Sequence, residues 1–379
     1  MMRTDNVERL ASSRLAGAGR RRLPVRWKKA ITDGAVGVLF AFAVGVSGVV
    51  VQDWVSGKPA NGGLIVLLVC LTAALAAAIA GRYWVWSSHG TMYSLSMQSD
   101  SVPDNHARSV ALAEGKYMEQ RSITRTFDPG DSPVIDIREV VADFSNTLEA
   151  LVNDDNQDTG YHLATDLIMP AAVAVGYRFR PPLNVSLREI NGPMGRPKPP
   201  PEYEWHLRQL LTISGSSHPI ETVTDPGSDP DPRCRSVLLS FMLTDHAEGA
   251  PLFALPDYPC EVGRVVGVFG RERHLQPVTV TGDGSNATIP AAEATRAVAE
   301  AIIDALARFP NATVVLTGRL PKTVSFAAGW YLANVTPKLQ YPWRRIVPLG
   351  YIDGKLWPMW VLPTQRDPSQ LLREAGIWT

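Results

Sequence analysis

The segment Ile168–Phe179 reads IMPAAVAVGYRF, and Arg319–Leu332 reads RLPKTVSFAAGWYL. Each begins an apolar run with a proline, Pro170 or Pro321. Each then reaches a glycine, Gly176 or Gly329, that is followed by aromatics. Proline suits a first helical turn, where its missing N–H is not needed. Both segments are therefore expected to be helices.

Working outward, the same order of elements occurs on both sides of the two helices. In the first half, MYSLSMQ (Met92–Gln98) reads as a strand, and VIDIREVVADFSNTLEALVND (Val134–Asp154) has helical spacing of apolar residues. YHLATDL is a strand, then comes the first proline-led helix, then the strand NVSLREI. A proline loop and the strand WHLRQLLTI follow. In the second half, SVLLSFMLTD and an added EVGRVVGVFG read as strands, and Pro290–Phe309 as an amphipathic helix. TVVLTG, the second proline-led helix, PKLQYPW and KLWPMWVLP complete it. The shared order favours a duplication over chance likeness between two α/β units. Pro170 and Gly176 then correspond to Pro321 and Gly329, with a small indel between. Alternating strands and helices predict mostly parallel sheets covered by helices. Between the halves, residues 215–235 are rich in Gly, Pro, Ser and Asp and read as a linker. The halves are residues 91–214 and 236–379.

Ahead of them lie two uncharged apolar runs, Gly34–Val51 and Leu64–Ala80, joined by a short polar turn. Each extends to about the 20 residues needed to cross a bilayer, so residues 31–86 are expected to form a transmembrane helical hairpin. The 37 basic and 37 acidic residues balance overall. Nine of the basic ones nevertheless lie in residues 1–30 (Arg3, Arg9, Arg14, Arg20, Arg21, Arg22, Arg26, Lys28, Lys29). With Arg82 after the second run and Lys58 alone in the turn, the positive-inside rule places both ends in the cytoplasm. Trp54 and Tyr83–Trp86 sit where interfacial aromatics belong. A cleaved signal peptide is the rival reading; the late start of the first run and the immediate second run argue against it. Gly37, Ala41, Gly45 and Gly48 form a small-residue stripe. It packs either the two spans of one hairpin or the hairpins of neighbouring protomers. The rest of the chain is mildly acidic, which disfavours long nucleic acid as a partner. Cys70, Cys234 and Cys260 make no disulfide framework and suit a reducing compartment.

Together, the duplicated Rossmann-like half, the proline-led helix with GYRF or GWYL, and the aromatic-rich closing strand resemble the SAVED domain. That domain is the fused, CARF-like sensor of cyclic oligonucleotides in bacterial anti-phage signalling (CBASS). The resemblance covers residues 91–379, and the hairpin ahead of it is similar to that of membrane-anchored SAVED effectors. It implies an inner-membrane, multi-pass sensor with a cytoplasmic SAVED domain and no cofactor. Its ligand would be a cyclic di- or trinucleotide made by a partner nucleotidyltransferase. Binding would drive homo-oligomer formation, and the clustered hairpins would disrupt the lipid bilayer.

Such a ligand needs cations or N–H groups for its phosphates and flat side chains for its bases. Arg319 and Lys322 straddle Pro321 at a helix start, where the dipole also favours an anion. Thr317 and Gly318 end the preceding strand. Thr244, Asp245 and His246 follow the first strand of the second half, as Ser99 and Asp100 follow that of the first. Tyr203, Trp205 and Trp357 are candidates for base stacking, with core packing as their bland alternative. TGDGSNAT (Thr281–Thr288) lacks the Lys-Ser/Thr of a phosphate loop and reads as a turn. No G-x-S-x-G elbow, H-E-x-x-H or Cys-x-x-Cys pair occurs, and the seven histidines are scattered. The chain is therefore expected to have no catalytic or metal residues. A membrane-tethered nucleotide-processing enzyme and a membrane scaffold or receptor for a protein partner are the alternatives.

Overall fold

The computed structural model describes residues 25–57, 62–98, 117, 119–130, 132–155, 160–179, 185–189, 204–212, 221–223, 235–243, 263–269, 279–281, 288–335, 342–352 and 355–378. The chain divides into two compact units, residues 1–89 with 115–118 and residues 90–114 with 119–379.

The first unit contains helices α1 (Val25–Val55) and α2 (Gly62–His89). Both are long and apolar enough to cross a membrane: Ala30–Val55 has mean hydropathy 2.3 and Gly62–Val85 has 2.7. The less exposed positions on α1 include Thr32, Val36, Leu39, Ala43, Val46 and Val50. On α2 they include Leu64, Leu68, Leu71, Leu75, Ala78 and Arg82. Both rows alternate steps of three and four, the spacing of a two-helix seam. Arg82 Nε lies 2.9 Å from Asp33 Oδ1 and ties the open end of the hairpin. The small-residue stripe does not lie in this seam. A Cβ on Gly37, Gly45 or Gly48 would meet nothing within 4 Å, and Ala41 is exposed. Packing of the two spans thus falls to the larger residues of the seam.

The second unit is mixed α/β. Its first sheet has the order β2-β1-β4-β5-β6. Its strands are β1 (Thr91–Gln98), β2 (Glu119–Thr126), β4 (Tyr161–Asp166), β5 (Val185–Arg188) and β6 (Glu204–His206). The second sheet has the order β3-β14-β13-β12-β8-β9-β7. Its strands are β3 (Ile135–Asp136), β7 (Glu221–Val223), β8 (Ser236–Met242), β9 (Gly263–Phe269), β12 (Thr313–Arg319), β13 (Ile346–Ile352) and β14 (Lys355–Trp360). Two short strands, β10 (Thr279–Thr281) and β11 (Thr288–Pro290), pair with each other. The helices are α3 (Arg138–Asn153), α4 (Met169–Arg178), the four-residue α5 (Gln209–Thr212), α6 (Ala291–Arg308), α7 (Lys322–Val335) and α8 (Pro368–Glu374).

Without its end strands β3 and β7, the second sheet has the order and directions of the first. Four strands run parallel, and an antiparallel strand closes one edge. The strand–helix units also align at one constant separation of 153 residues. It relates Asp166 to Arg319 at the strand ends, Met169 to Lys322 at the helix starts, and Gly176 to Gly329. No indel is needed. Pro170 and Pro321 are therefore not equivalent, since Pro170 lies inside α4 while Pro321 immediately precedes α7.

Several boundaries differ from the sequence reading. Ile135–Asp136 does not begin the helix; it pairs in parallel with Met359–Trp360 and extends the second sheet. In WHLRQLLTI only Trp205 and His206 are in a strand, and Gln209–Thr212 is helical. Of PKLQYPW, Pro342–Trp343 belongs to a 3-10 turn, and the strand comes after it. The stretch read as a linker includes β7, which pairs antiparallel with β9. The edge strand EQRSITRT buries only Ile123, which explains why its polar sequence carries no strand signal.

The core lies between the sheets and around α4 and α7. Residues 170–176 of α4 are all buried, the pattern of a helix enclosed on every side. Tyr93, Leu95, Met97 and Leu163 of the first sheet join Val314 and Leu316 of the second in one cluster. On its other face the second sheet presents Leu238, Val315, Val347 and Leu349 to Leu371 and Leu372 of α8 and to Ile377 beyond it.

Candidate functional site

The C-terminal edge of the first sheet, where α/β sheets gather ligands, holds the start of a helix from the second half. Helix α7 has Leu320 and Pro321 before it and no Ser, Thr, Asp or Asn to cap its free N–H groups. Glu189, just past β5, supplies the acceptors instead. Its Oε1 accepts from Lys322 N at 3.0 Å. Its Oε2 accepts from Thr323 N at 2.9 Å and from Thr323 Oγ1 at 2.6 Å. Glu189 is 7 % exposed. Burial holds its carboxyl above the ordinary glutamate value, and the three hydrogen bonds only partly offset this.

Beside this cap, the Lys322 ammonium forms an ion pair with Asp166, the last residue of β4. The two side chains are 30 % and 13 % exposed, so the pair lies nearer solvent than Glu189. Burial pulls the Lys322 ammonium below the usual lysine range, while the adjacent carboxylate favours its charged form. A carboxylate thus already occupies the helix start that the sequence offers for a phosphate.

The face of the first sheet that carries Asp166 is polar. Ser94 and Ser96 on β1 are each 1 % exposed, and neither Oγ has a hydrogen-bond partner among the described residues. Ser96 is the register partner of Asp166 on the parallel neighbour. His162 Nδ1 pairs with Glu204 Oε1, and Ser186 Oγ lies 2.8 Å from His206 Nδ1. Burial pushes the Glu204 carboxyl up, but His162, with help from Arg188 and His206, brings it below the ordinary value. Burial also lowers His206. The equivalent face of the second sheet is the apolar one under α8. The two halves therefore share a strand order and differ in chemistry.

The other sequence candidates lie as follows. Thr317 is 4 % exposed on β12. Gly318 has φ +153, and a Cβ there would stand 2.4 Å from Phe241 O, so no side chain fits between β12 and β8. Arg319 ends β12. Trp205 is 2 % exposed and belongs to the core, and Trp357 is partly buried against it. Ser99, Asp100, Tyr203, Thr244, Asp245 and His246 lie outside the described residues. Glu189, Asp166 and Thr323 were absent from the sequence candidates. The uncapped start of α7 was the one signal that pointed to a remote carboxylate. Among the described residues no group of three or more His, Cys, Asp or Glu is placed to hold a metal ion.

No family model matches the chain, and no curated protein matches it. Several solved structures do. Two are the Acinetobacter baumannii Cap4 SAVED/CARF-domain containing receptor, one with the cyclic trinucleotide 2'3'3'-cAAA and one with 3'3'3'-cAAA. Each is 11 % identical with a TM-score of 0.40; the matches cover 78 % and 76 % of this chain and 56 % and 55 % of the receptor. A further structure of that receptor is 10 % identical, with a TM-score of 0.37, and the match covers 78 % of this chain and 54 % of the receptor. The chain thus spans little more than half the length of the receptors it matches.

Proposed function

We propose that the chain is a membrane-anchored sensor of a cyclic di- or trinucleotide; two of the Acinetobacter receptor structures hold a cyclic trinucleotide. The observation that carries this reading is the grip of the first sheet on the second half's helix. Two sheets of one strand order meet through α4 and α7, and the strand ends of one half hold the helix start of the other. On this reading the halves arose by duplication, and their crevice has an approximate two-fold axis that suits a ring of repeated units. Lys322 meets a phosphate there.

The same reading places α1 and α2 across the bacterial inner membrane, with both the basic N-terminus and the α/β unit in the cytoplasm. A partner nucleotidyltransferase makes the ring during infection. Binding favours an assembled state, which needs only that the ring bind that state better than the free one. The clustered hairpins then disrupt the bilayer as an anti-phage response. The chain acts by binding, without a catalytic step.

The test uses the full chain in dye-loaded liposomes. One ring from a panel of cyclic di- and trinucleotides should release dye and shift the chain to larger assemblies, and its linear form should do neither. A panel with no active member contradicts the proposal.

A further inference from the structure

Asp166 has one partner in hand and a second within reach. Its carboxylate holds the Lys322 ammonium. Ser96 stands beside it, since the two are register partners on parallel strands and share a face. Neighbouring strands are about 4.8 Å apart, so a rotation about the Asp166 side chain brings an oxygen to the Ser96 hydroxyl. Ser96 is 1 % exposed, and its hydroxyl makes no hydrogen bond among the described residues. Buried hydroxyls are rarely left without a partner, and one that is calls for a reason.

We infer that Asp166 is a resident anion with two seats: it pairs with Lys322 in the ligand-free chain and moves to the Ser96 hydroxyl when a phosphate oxygen takes the ammonium. This rests on the reading that the edge of the first sheet receives a phosphate. Lys322 and Asp166 are the more exposed part of the cluster, so an incoming anion meets them before it meets Glu189. Glu189 keeps its bonds to the first turn of α7, so the helix start stays fixed while the ion pair exchanges. Without the second seat, Asp166 and the phosphate would face each other as like charges at close range. The second half has no such exchange, because Met242 and Arg319 stand at the register positions of Ser96 and Asp166. Asp166 therefore sets the anion concentration at which Lys322 changes partner, and Ser96 lowers that concentration.

The probe is inorganic pyrophosphate, titrated against the full chain in nanodiscs at constant ionic strength. Acylation of Lys322 by an N-hydroxysuccinimide acetate ester is read by mass spectrometry of its peptide. Pyrophosphate should protect Lys322 in the native chain. Asp166→Asn should lower the half-protecting concentration about fivefold or more. Ser96→Ala should raise it while leaving the ligand-free melting temperature unchanged or higher, since it removes an unpaired hydroxyl. In the Asp166→Asn background, Ser96→Ala should have no further effect, because Ser96 acts through Asp166. Equal half-protection in the native chain and Asp166→Asn, no protection in either, or a Ser96→Ala effect that persists in Asp166→Asn overturns the inference. Pyrophosphate replaces the cyclic ring here, so failure of every ring to bind leaves this test standing, and the reverse is also true.

Discussion

Gly176 and Gly329 face the same crossing from opposite sides. A Cβ on Gly176 would stand 1.9 Å from Phe326 O, and a Cβ on Gly329 would stand 1.9 Å from Val173 O. Phe326 is three residues before Gly329, as Val173 is three before Gly176. The contact is thus reciprocal, as a two-fold relation between α4 and α7 requires. A backbone oxygen at that distance leaves no room for any side chain.

Gly176→Ala and Gly329→Ala should therefore each destabilise the α/β unit. Forcing a methyl into a close-packed contact costs about 1–3 kcal/mol. The double variant should cost less than the two separate losses together, because one displacement of the helices relieves both clashes. Thermal melts of the three variants check this.

Glu189→Ala should be more damaging than its position at the end of a short strand suggests. It leaves the Lys322 and Thr323 N–H groups and the Thr323 hydroxyl without their acceptor. Each buried group left unmade costs about 1–3 kcal/mol. Glu189→Gln keeps one acceptor oxygen and should lose less. The pH dependence has a definite sign. The folded carboxyl titrates above its unfolded value, so its contribution is most favourable below the ordinary glutamate range and declines as pH rises through the folded value. Denaturant melts at several pH values should show that slope in the native chain and not in Glu189→Gln.

Glu204 has the opposite sign. Its carboxyl lies below the ordinary glutamate value: burial pushes it up, and the bond to His162 outweighs that. Stability from this contact is present above the unfolded value and is lost as pH falls through the folded one. His162→Gln, which removes the imidazole ring that Glu204 pairs with, should flatten the acid side of a plot of melting temperature against pH.

Much of this architecture is legible in the sequence, because helices such as Arg138–Asn153 and Ala291–Arg308 carry their own periodicity. What escapes is long-range. Ile135–Asp136 reads as the front of a helix until β14 stands beside it. Glu189 and Asp166 meet α7 across 133 and 156 residues. The missing cap at the start of α7 calls for a remote acceptor, but no local pattern says which residue supplies it. Trp205 shows the converse limit: the residue type suits base stacking, but burial to 2 % makes it core.

Under the proposed function, variants in the outward stripe on α1 separate ligand binding from dye release. A side chain at Gly37, Gly45 or Gly48 meets nothing within 4 Å, so leucine at Gly37, Ala41 and Gly45 should leave the hairpin seam intact. Ligand binding should be unchanged and dye release lost. Dye release that survives would mean that neighbouring hairpins do not pack through the stripe.

The central claim is that one chain encloses one ring. Calorimetric titration of the full chain with a panel of cyclic di- and trinucleotides measures it directly. The account predicts that one ring binds with a stoichiometry of one per chain and that its linear form does not compete. Saturation of the panel without binding, or equal binding of the linear form, would contradict it.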